Sequence, residues 1–294
     1  MRVAILGSGG QLGSDLRAAL AKTASCEVVA LPHEKIEVTD PKSVQSALAA
    51  AHPDVVVNCA AFHQVDQCAD RPDEAYRVNA LGARYVAEAC DALNAACVYI
   101  STDYVFDGEK ASPYLEEDSA IPVSVYGASK LAGEHLVRIS LEKHYIVRCS
   151  GLFGVTGASG KGGNFINTML RLAREERDIK VVDDQRFSPT STEALAEKIA
   201  WLATTGDYGT WHITCRGECT WYELAGAVFE LAGLQPKLSP TNAEAFGAKA
   251  RRPAYSVLGH GRLNQAGADD LPHWRDAVEQ YLRATGEISG ASQS

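Results

Sequence analysis

A strand-like apolar run at the start of the chain leads directly into a glycine-rich turn. Residues 3–6 read Val-Ala-Ile-Leu, residues 7–13 read Gly-Ser-Gly-Gly-Gln-Leu-Gly, and a helical pattern of apolar residues follows. A strand, a glycine turn and a helix in this order are typical of a dinucleotide-binding unit. We expect Gly7 to make the tight turn, Gly10 to let a pyrophosphate approach the backbone, and Gly13 to let helix and strand pack closely. The spacing is Gly-x-x-Gly-x-x-Gly rather than Gly-x-Gly-x-x-Gly, so the prediction depends on this context.

Further apolar runs alternate with helical patterns through the first half of the chain. They cover residues 26–31, 54–58, 97–101 and 145–148. This alternation predicts an α/β fold with a Rossmann-type, doubly wound parallel sheet. Ligands of such sheets bind beyond the carboxyl ends of the strands. We therefore expect one crevice to be lined by the residues that follow these ends, namely Gly7, Ala61, Thr102 and Gly151.

Tyr126 and Lys130 are four residues apart in a segment of good helix formers. On a helix they lie on one face, where the ammonium favours the phenolate and should lower the tyrosine pKa from about 10. Tyr126 is then a candidate proton donor to a carbonyl group that is reduced near neutral pH. Thr102 can add a hydroxyl hydrogen bond to the same carbonyl oxygen. Because a lone Tyr-x-x-x-Lys pair is also found on ordinary exposed helices, the catalytic prediction depends on its combination with the glycine turn.

Charge and composition argue against several classes of protein. The chain has 28 Lys and Arg against 37 Asp and Glu, and a net charge of -9 is unfavourable for non-specific nucleic-acid binding. No apolar run is long enough to span a membrane, and the N-terminus lacks a signal-peptide pattern. The eight scattered cysteines are therefore expected to be reduced thiols. We predict a cytoplasmic protein without a nucleic-acid or membrane partner.

The second predicted strand leaves the choice between NADH and NADPH open. An acidic residue at its end would select NAD, yet Leu31 is followed by Pro-His-Glu-Lys. In that segment His33 and Lys35 would tolerate a 2′-phosphate. Glu37 and Val38 follow and are expected beside the adenine.

Composition changes after residue 150, where a loop rich in glycine and serine occupies residues 154–163. We predict a dinucleotide-binding domain over residues 1–150, which also receives a later segment at about 179–205. Residues 151–286 are expected mainly to form a smaller substrate-binding lobe, and residues 287–294 a disordered tail. In the lobe, Arg251 and Arg252 suit a nucleotide diphosphate through charge-assisted hydrogen bonds, with surface ion pairs as the alternative. In the first domain, residues 72–93 predict one long helix, whose Asn79 either ties to a neighbouring loop or is solvated.

Taken together, these motifs resemble the dTDP-4-dehydrorhamnose reductase family of the extended short-chain dehydrogenases/reductases. The resemblance covers nearly the whole chain. The motifs that carry it are Gly-Ser-Gly-Gly-Gln-Leu-Gly at 7–13, Val-Asn-Cys-Ala-Ala-Phe at 57–62, Val-Asp at 65–66, Ser-Thr-Asp-Tyr-Val-Phe-Asp-Gly at 101–108, Val-Tyr-Gly-Ala-Ser-Lys-Leu-Ala-Gly-Glu at 125–134, Gly-Asn-Phe at 163–165, Asp-Gln at 184–185, Ser-Pro-Thr at 188–190 and Ala-Arg-Arg-Pro at 250–253.

The resemblance implies that NAD(P)H reduces the C4 ketone of dTDP-6-deoxy-L-lyxo-4-hexulose, giving dTDP-L-rhamnose. It implies that Tyr126 donates the proton, Lys130 holds the nicotinamide ribose and Thr102 binds the keto oxygen. The remaining assignments combine the motifs described above with this resemblance. The cofactor residues are Gly7, Gly10, Gln11, Leu12, Gly13, Glu37, Val38, Ala60, Ala61, Phe62 and His63, and the substrate residues are Asp103, Tyr104, Asn164 and Arg252.

The resemblance also bears on assembly and metal content. Members of the family can pair into dimers with a bound divalent ion, so it implies a homodimer and raises the question of Mg²⁺. Asp15 and Glu193 fall near the positions of such acidic ligands. We assign no metal ligand in the active site itself.

One position departs from the family pattern. The better-studied members carry Arg-Thr-Ser-Trp after the fifth strand, and the tryptophan contacts the sugar. Here residues 148–151 read Arg-Cys-Ser-Gly. Gly151 lacks this aromatic side chain, so the identity of the hexose is left undetermined. Leu152 and Phe153 are candidates to replace the tryptophan.

Two other interpretations share the fold. The first is a nucleotide-sugar epimerase or 4,6-dehydratase, but the dehydratases carry Asp-Glu directly after the threonine, whereas Thr102 is followed by Asp-Tyr. The second is a non-catalytic regulatory subunit, similar to the beta subunit of methionine adenosyltransferase. The presence of Thr102, Tyr126 and Lys130 together favours an enzyme.

Overall fold

Strands and helices alternate along the chain. The computed structural model describes residues 1–23, 26–156 and 163–289. The strands are β1 (Arg2–Leu6), β2 (Glu27–Leu31), β3 (Val55–Asn58), β4 (Ala96–Thr102), β5 (His144–Cys149), β6 (Leu152–Phe153), β7 (Ile179–Val182), β8 (Arg186–Phe187), β9 (Thr190–Ser191), β10 (Gly209–His212), β11 (Cys219–Thr220) and β12 (Leu238–Thr241). The helices are α1 (Gln11–Ala21), α2 (Pro41–Ala51), α3 (Val65–Asp70), α4 (Pro72–Tyr76), α5 (Ala83–Ala92), α6 (Val125–Ser140), α7 (Phe165–Arg174), α8 (Thr192–Leu202), α9 (Trp221–Leu231), α10 (Ala243–Phe246), α11 (Gly261–Gln265) and α12 (Trp274–Ala284).

A six-stranded sheet forms the centre of the larger core. Its order is β10-β5-β4-β3-β1-β2, and every neighbouring pair is parallel. Val3 and Ile5 of β1 pack with α1 and α8 on one face, whereas Ala4 and Leu6 pack with α2, α5 and α6 on the other. Both faces are therefore covered by helices, as a parallel sheet requires. The predicted Rossmann-type, doubly wound fold is confirmed.

The predicted long helix at 72–93 is present but is not a regular α-helix throughout. Between α4 and α5, residues Arg77–Gly82 form a π-helical segment. Asn79 lies in this segment, is fully buried, and its carbonyl oxygen accepts the hydroxyl hydrogen of Tyr99 at 2.7 Å. Segments of this type are common at functional sites. Here the segment turns the Asn79 side chain towards the loop that follows β3.

A second core forms the smaller lobe. It combines β7, α7, α9 and α12, with Phe153, Ile166, Phe187 and Val228 among its buried side chains. The small sheets of the molecule pair β8 with β11, β7 with β12 and β6 with β9. Because β6 directly follows β5, this lobe begins beside the carboxyl end of the large sheet.

The segment at about 179–205, predicted to return to the sheet domain, divides between the two cores. Ile179 and Val181 of β7 belong to the core of the lobe instead. The returning part begins near α8 and extends to β10, which forms the edge strand of the large sheet beside β5. The local pattern of β7 and β10 is similar, and only packing against distant partners decides which sheet each one joins. The division into two domains otherwise stays a prediction.

Some predicted features fall outside the described residues. These are residues 157–162 of the glycine-rich loop and residues 290–294 of the predicted tail. Just before the latter, Glu287 forms an ion pair with Arg174. All eight cysteines are described, and none forms a disulfide. Within the described ranges, no helix is long and apolar enough to cross a membrane.

Candidate active site

The residues assigned from the sequence line a single cleft beyond the carboxyl ends of β1, β3, β4 and β5. Its volume is about 2010 Å³. Pockets for one small ligand measure roughly 300–1,000 Å³, so this cleft has room for a dinucleotide and a second ligand side by side. The assigned residues in its lining are Gly7, Gly10, Gln11, Leu12, Gly13, Glu37, Val38, Ala60, Ala61, Phe62, His63, Thr102, Asp103, Tyr104, Tyr126, Lys130, Asn164 and Arg252.

The glycine turn has the geometry of a phosphate-binding turn. Gly7 has φ +70°, a left-handed conformation that favours glycine. A Cβ atom on Gly13 would lie 2.3 Å from the Gly7 carbonyl oxygen, so only glycine allows α1 to approach the turn this closely. Gly10 precedes α1 without a side-chain cap. The free backbone N–H groups of the first helical turn therefore face the cleft and can bind an anion.

A buried polar atom beside this turn also fits a bound dinucleotide. Gln11 Oε1 is buried, and within the described part of the chain it has no hydrogen-bond partner. Such an acceptor is costly unless a ligand or a water donates to it. Gln11 lines the cleft, so a ligand hydroxyl or amide can supply this hydrogen bond.

The loop after β3 is held rigidly against the cleft. Asn79 accepts the Phe62 N–H at 2.9 Å, donates to the Phe62 carbonyl oxygen at 2.9 Å, and donates to Ser129 Oγ at 3.0 Å. The Ser129 hydroxyl in turn donates to the Tyr126 carbonyl oxygen at 2.8 Å. Of the two roles considered for Asn79, the tie to a neighbouring loop is confirmed. It links the predicted cofactor loop to the helix that carries Tyr126 and Lys130.

Thr102 ends β4 and begins the turn that carries Asp103 and Tyr104. Its hydroxyl oxygen accepts the Tyr104 N–H at 3.2 Å, and its hydroxyl donates to Asp103 Oδ1 at 3.0 Å. The Tyr104 and Tyr126 rings pack edge to face, with centroids 5.8 Å apart. Thr102 and Tyr126 therefore face the same part of the cleft.

Asp103 is buried, and its carboxylate accepts hydrogen bonds from three hydroxyl groups. Its Oδ2 atom accepts from Ser256 Oγ at 2.6 Å and from Ser150 Oγ at 2.8 Å. Desolvation raises the pKa of Asp103 to about 6, although these hydroxyl groups oppose the shift. The residue is thus placed to orient Thr102, which the sequence motif did not reveal.

Tyr126 and Lys130 lie in the first turns of α6, whose N-terminus is capped by Ser124. The prediction that the tyrosine pKa is lowered is wrong in this structure. Desolvation raises the pKa of Tyr126 above its usual value, and a hydrogen bond with Thr102 only partly opposes it. The sequence argument considered the attraction of the ammonium but could not evaluate burial.

Lys130 is buried at the base of the cleft. Its Nζ lies 4.1 Å from the centroid of the Tyr99 ring, a cation–π contact. Desolvation lowers the pKa of Lys130 to about 8. The ammonium makes no hydrogen bond to any described side chain or carbonyl group, so its donors are available to a ligand.

The lobe side of the cleft contains Arg252 and Asn164. Arg252 Nη2 lies 3.0 Å from Asp66 Oδ2, and its Nη1 donates to the Ala250 carbonyl oxygen at 3.0 Å. The ion-pair alternative considered for this arginine is therefore observed. Asn164 caps α7 by accepting the Asn167 N–H and donates to the Gly154 carbonyl oxygen at 3.1 Å. Both side chains line the cleft, and their substrate contacts stay predictions.

The structure gives no support for Mg²⁺. Thr192 Oγ1 donates a hydrogen bond to Asp15, and Glu193 is exposed at the start of α8. Across the described ranges, no group of three or more His, Cys, Asp or Glu side chains is arranged to hold a metal ion.

Sequence reasoning missed several residues of the cleft. Phe187 and Trp221 line it from the lobe, and Ser150 and Ser256 fix Asp103. The only local signal was the position of Phe187 between Asp-Gln at 184–185 and Ser-Pro-Thr at 188–190. Ser256 is 153 residues from Asp103, so no spacing along the chain indicates this contact.

A parallel Rossmann-type sheet, a glycine turn at a helix N-terminus, and Thr102, Tyr126 and Lys130 in the adjoining cleft define an NAD(P)-dependent oxidoreductase of the short-chain dehydrogenase/reductase type. Comparison with known proteins agrees. The family model described as the RmlD substrate binding domain matches residues 1–286. The chain belongs to this family, that of the dTDP-4-dehydrorhamnose reductases.

Three relatives illustrate the similarity. The spore coat polysaccharide biosynthesis protein SpsK of Bacillus subtilis is 41% identical over 282 residues, which cover 96% of this chain and 97% of the relative. The dTDP-4-dehydrorhamnose reductase of Streptomyces griseus is 40% identical over 287 residues, which cover 95% of this chain and 92% of the relative. The crystal structure of the dTDP-4-dehydrorhamnose reductase of Bacillus anthracis in complex with NADP has a TM-score of 0.90 and 38% identity, and the match covers 97% of this chain and 99% of that one.

Proposed function

We propose that this enzyme reduces the C4 ketone of dTDP-4-dehydro-L-rhamnose (dTDP-6-deoxy-L-lyxo-4-hexulose) to the alcohol of dTDP-L-rhamnose with NADH or NADPH. The observation that carries the proposal is the meeting of Thr102, Tyr126 and Lys130 in the cleft that begins at the glycine turn. The similarity to the Streptomyces griseus reductase supports the same substrate class. A homodimer stays a prediction.

Reduction of a ketone requires a hydride at the carbonyl carbon and a proton at the carbonyl oxygen, and the side chains of the cleft suit both. A bound reduced nicotinamide supplies the hydride to the carbonyl carbon. The Tyr126 hydroxyl donates its proton to the oxygen, which becomes strongly basic as the hydride arrives. The raised pKa of Tyr126 keeps this donor protonated at neutral pH. The Thr102 hydroxyl, held by Asp103, is positioned beside the same oxygen.

Lys130 would serve the cofactor and the developing charge together. Its unpaired ammonium donors face the cleft, where ribose hydroxyl groups of a nicotinamide nucleotide can accept them. Its positive charge also stabilises negative charge on a nearby oxygen in a low-dielectric site. Since its pKa is lowered to about 8, most of the lysine is charged at neutral pH.

A second candidate substrate is a different 4-keto sugar nucleotide. Gly151, at the carboxyl end of β5, favours it because no side chain extends from this position into the cleft. The reaction would be the same, and only the hexose would differ.

The test is the oxidation of NADH and of NADPH, followed by absorbance, with the dTDP-4-dehydro-L-rhamnose substrate made in situ. We expect cofactor oxidation together with formation of dTDP-L-rhamnose, identified by chromatography. Oxidation with a different 4-keto sugar nucleotide, but none with this one, would favour the second candidate. Tight cofactor binding without turnover of either ketone would contradict both and support a regulatory role.

A further inference from the structure

The Phe187 ring fills the space beside Gly151 that a larger side chain at residue 151 would need. Gly151 has φ +52°, and a Cβ atom added to it would lie 2.3 Å from Phe187 Cε2. The Phe187 ring therefore lies where a side chain at residue 151 would begin. The glycine is required for this ring to fit, both because of the contact and because of the left-handed backbone.

The ring of Phe187 supports a second aromatic side chain. Phe187 and Trp221 are stacked, with centroids 4.0 Å apart and an interplanar angle of 29°. Phe165 packs on Trp221 from another direction, with centroids 4.8 Å apart. Phe187 is 3% exposed, whereas Trp221 is only partly buried, and both line the cleft. The indole thus presents a surface to the cleft, and the stacked Phe187 ring supports the indole and also lines the cleft.

Strand pairing and ion pairs make this aromatic pair rigid. Phe187 pairs with Cys219 between β8 and β11, and Trp221 is the first residue of α9, which begins two residues later. Thr220 and Glu223 form a capping box at this helix start. Arg186 lies 3.3 Å from Glu223, which ties β8 to α9.

The aromatic pair borders the reacting end of the cleft. Ser150, next to Gly151, donates to Asp103, which also accepts from Thr102. On the other side of β8, the Ser256 N–H donates to the Arg186 carbonyl oxygen at 2.8 Å, and the Ser256 hydroxyl donates to Asp103. Gly151 and Arg186, the two neighbours of Phe187, are therefore each connected through a serine to the Asp103 carboxylate, which accepts the Thr102 hydroxyl. A substrate group bound at Thr102 would therefore lie beside this wall.

We propose that Phe187 and Trp221 form the hexose-facing wall of the substrate site, in the space that Gly151 leaves open. This inference rests on the proposed function. The flat apolar face of the pair suits the C–H groups of a deoxyhexose ring. In the described part of the chain, the Trp221 N–H has no hydrogen-bond acceptor, so it is also available to a sugar hydroxyl group.

The experiment compares Phe187→Leu and Trp221→Leu with the wild-type enzyme. We expect the KM for the ketone substrate to rise about tenfold in each, equivalent to one decade of affinity. Calorimetry should show weaker binding of dTDP-L-rhamnose but unchanged binding of dTDP and of NADPH. The matched control is Phe229→Leu, because Phe229 is buried in α9 and belongs to the same core but does not line the cleft.

Each outcome decides a separate point. Unchanged KM and unchanged dTDP-L-rhamnose binding in both folded variants would overturn the proposal. Equal weakening of dTDP and dTDP-L-rhamnose would place the pair at the nucleotide rather than at the hexose, which also overturns it. A wild-type enzyme that neither reduces the ketone nor binds dTDP-L-rhamnose would instead refute the proposed function. Because Phe187 is buried, circular dichroism checks its variant for folding, and Trp221→Leu tests the same wall if that variant fails to fold.

Discussion

The Glu134 carboxylate and the Arg148 guanidinium form a buried, two-pronged ion pair. Arg148 Nη2 lies 2.8 Å from Glu134 Oε2, and its Nε lies 2.9 Å from Oε1. Ser101 Oγ also donates to Glu134 Oε1 at 2.6 Å, so the carboxylate connects α6 to both β4 and β5. Since α6 carries Tyr126 and Lys130, this ion pair fixes α6 against the strands that position Thr102.

Replacement of Glu134 should therefore destabilise the whole protein. Glu134→Gln leaves the buried Arg148 charge without its counter-charge, and we expect the free energy of unfolding to fall by about 3–5 kcal/mol. Urea denaturation measures this change. The control is Glu88→Gln, which breaks the exposed Arg84–Glu88 pair and should cost at most about 1 kcal/mol. Equal effects of the two substitutions would show that the buried pair has no special role.

Tyr126 is predicted to be required for turnover but not for cofactor binding. Tyr126→Phe removes only the hydroxyl, and we expect kcat to fall by about a hundredfold or more because the proton donor is lost. The Kd for NADPH, measured by fluorescence, should stay close to the wild-type value. Tyr145→Phe is a matched control, since the Tyr145 hydroxyl accepts the Gly206 N–H away from the cleft. Full activity in Tyr126→Phe would remove this residue from the mechanism.

The limits of the sequence analysis follow from the range of the interactions involved. The glycine turn and the Tyr126–Lys130 pair depend on neighbours within a few residues, and the structure brings them into the cleft that the sequence predicted. The position of β10 and the hydrogen bond from Ser256 to Asp103 depend on partners far along the chain. Burial is also a property of the folded whole, which is why the direction of the Tyr126 pKa shift was predicted wrongly.

The lowered pKa of Lys130 predicts a loss of activity at alkaline pH. In the proposed mechanism the charged form binds ribose hydroxyls and stabilises negative charge. This form is lost as the pH rises through about 8. We therefore expect kcat/KM, which reports the free enzyme, to decrease above about pH 8. Lys130→Arg keeps its charge at higher pH, so the decrease in kcat/KM should begin at a higher pH in this variant. The maximum kcat/KM of the variant should be lower than that of the wild type. An unchanged alkaline limb in that variant would assign the limb to another group.

Asp103 should make the protein less stable as the pH rises. Its pKa is about 6 in the folded protein against an ordinary value of 3.8, so protonation favours the folded state. This contribution is complete below pH 3.8 and is lost as the pH rises through 6. A shift of this size corresponds to about 3 kcal/mol. Unfolding of wild-type and Asp103→Asn protein is compared at about pH 3 and about pH 7, each about one pH unit beyond a limit. The variant should gain stability relative to the wild type at the higher pH. A constant difference between them would contradict the raised pKa.

Both NADH and NADPH are expected to act as reductants. The segment after β2 contains one residue suited to the ribose hydroxyls of NADH, Glu37, and one suited to the 2′-phosphate of NADPH, His33. Glu37 accepts the Thr39 N–H at 2.9 Å, which holds the pKa of Glu37 below its ordinary value and keeps an acceptor ready for ribose hydroxyls. His33 Nε2 lies 3.7 Å from Glu37 Oε2 and is exposed, so it can approach a 2′-phosphate. We expect the two kcat/KM values to agree within about tenfold, which is about 1.4 kcal/mol. Glu37→Gln should shift the preference towards NADPH and His33→Ala towards NADH, in side-by-side kinetics. A much larger preference in the wild type, or shifts in the opposite direction, would show that other residues determine the selection between NADH and NADPH.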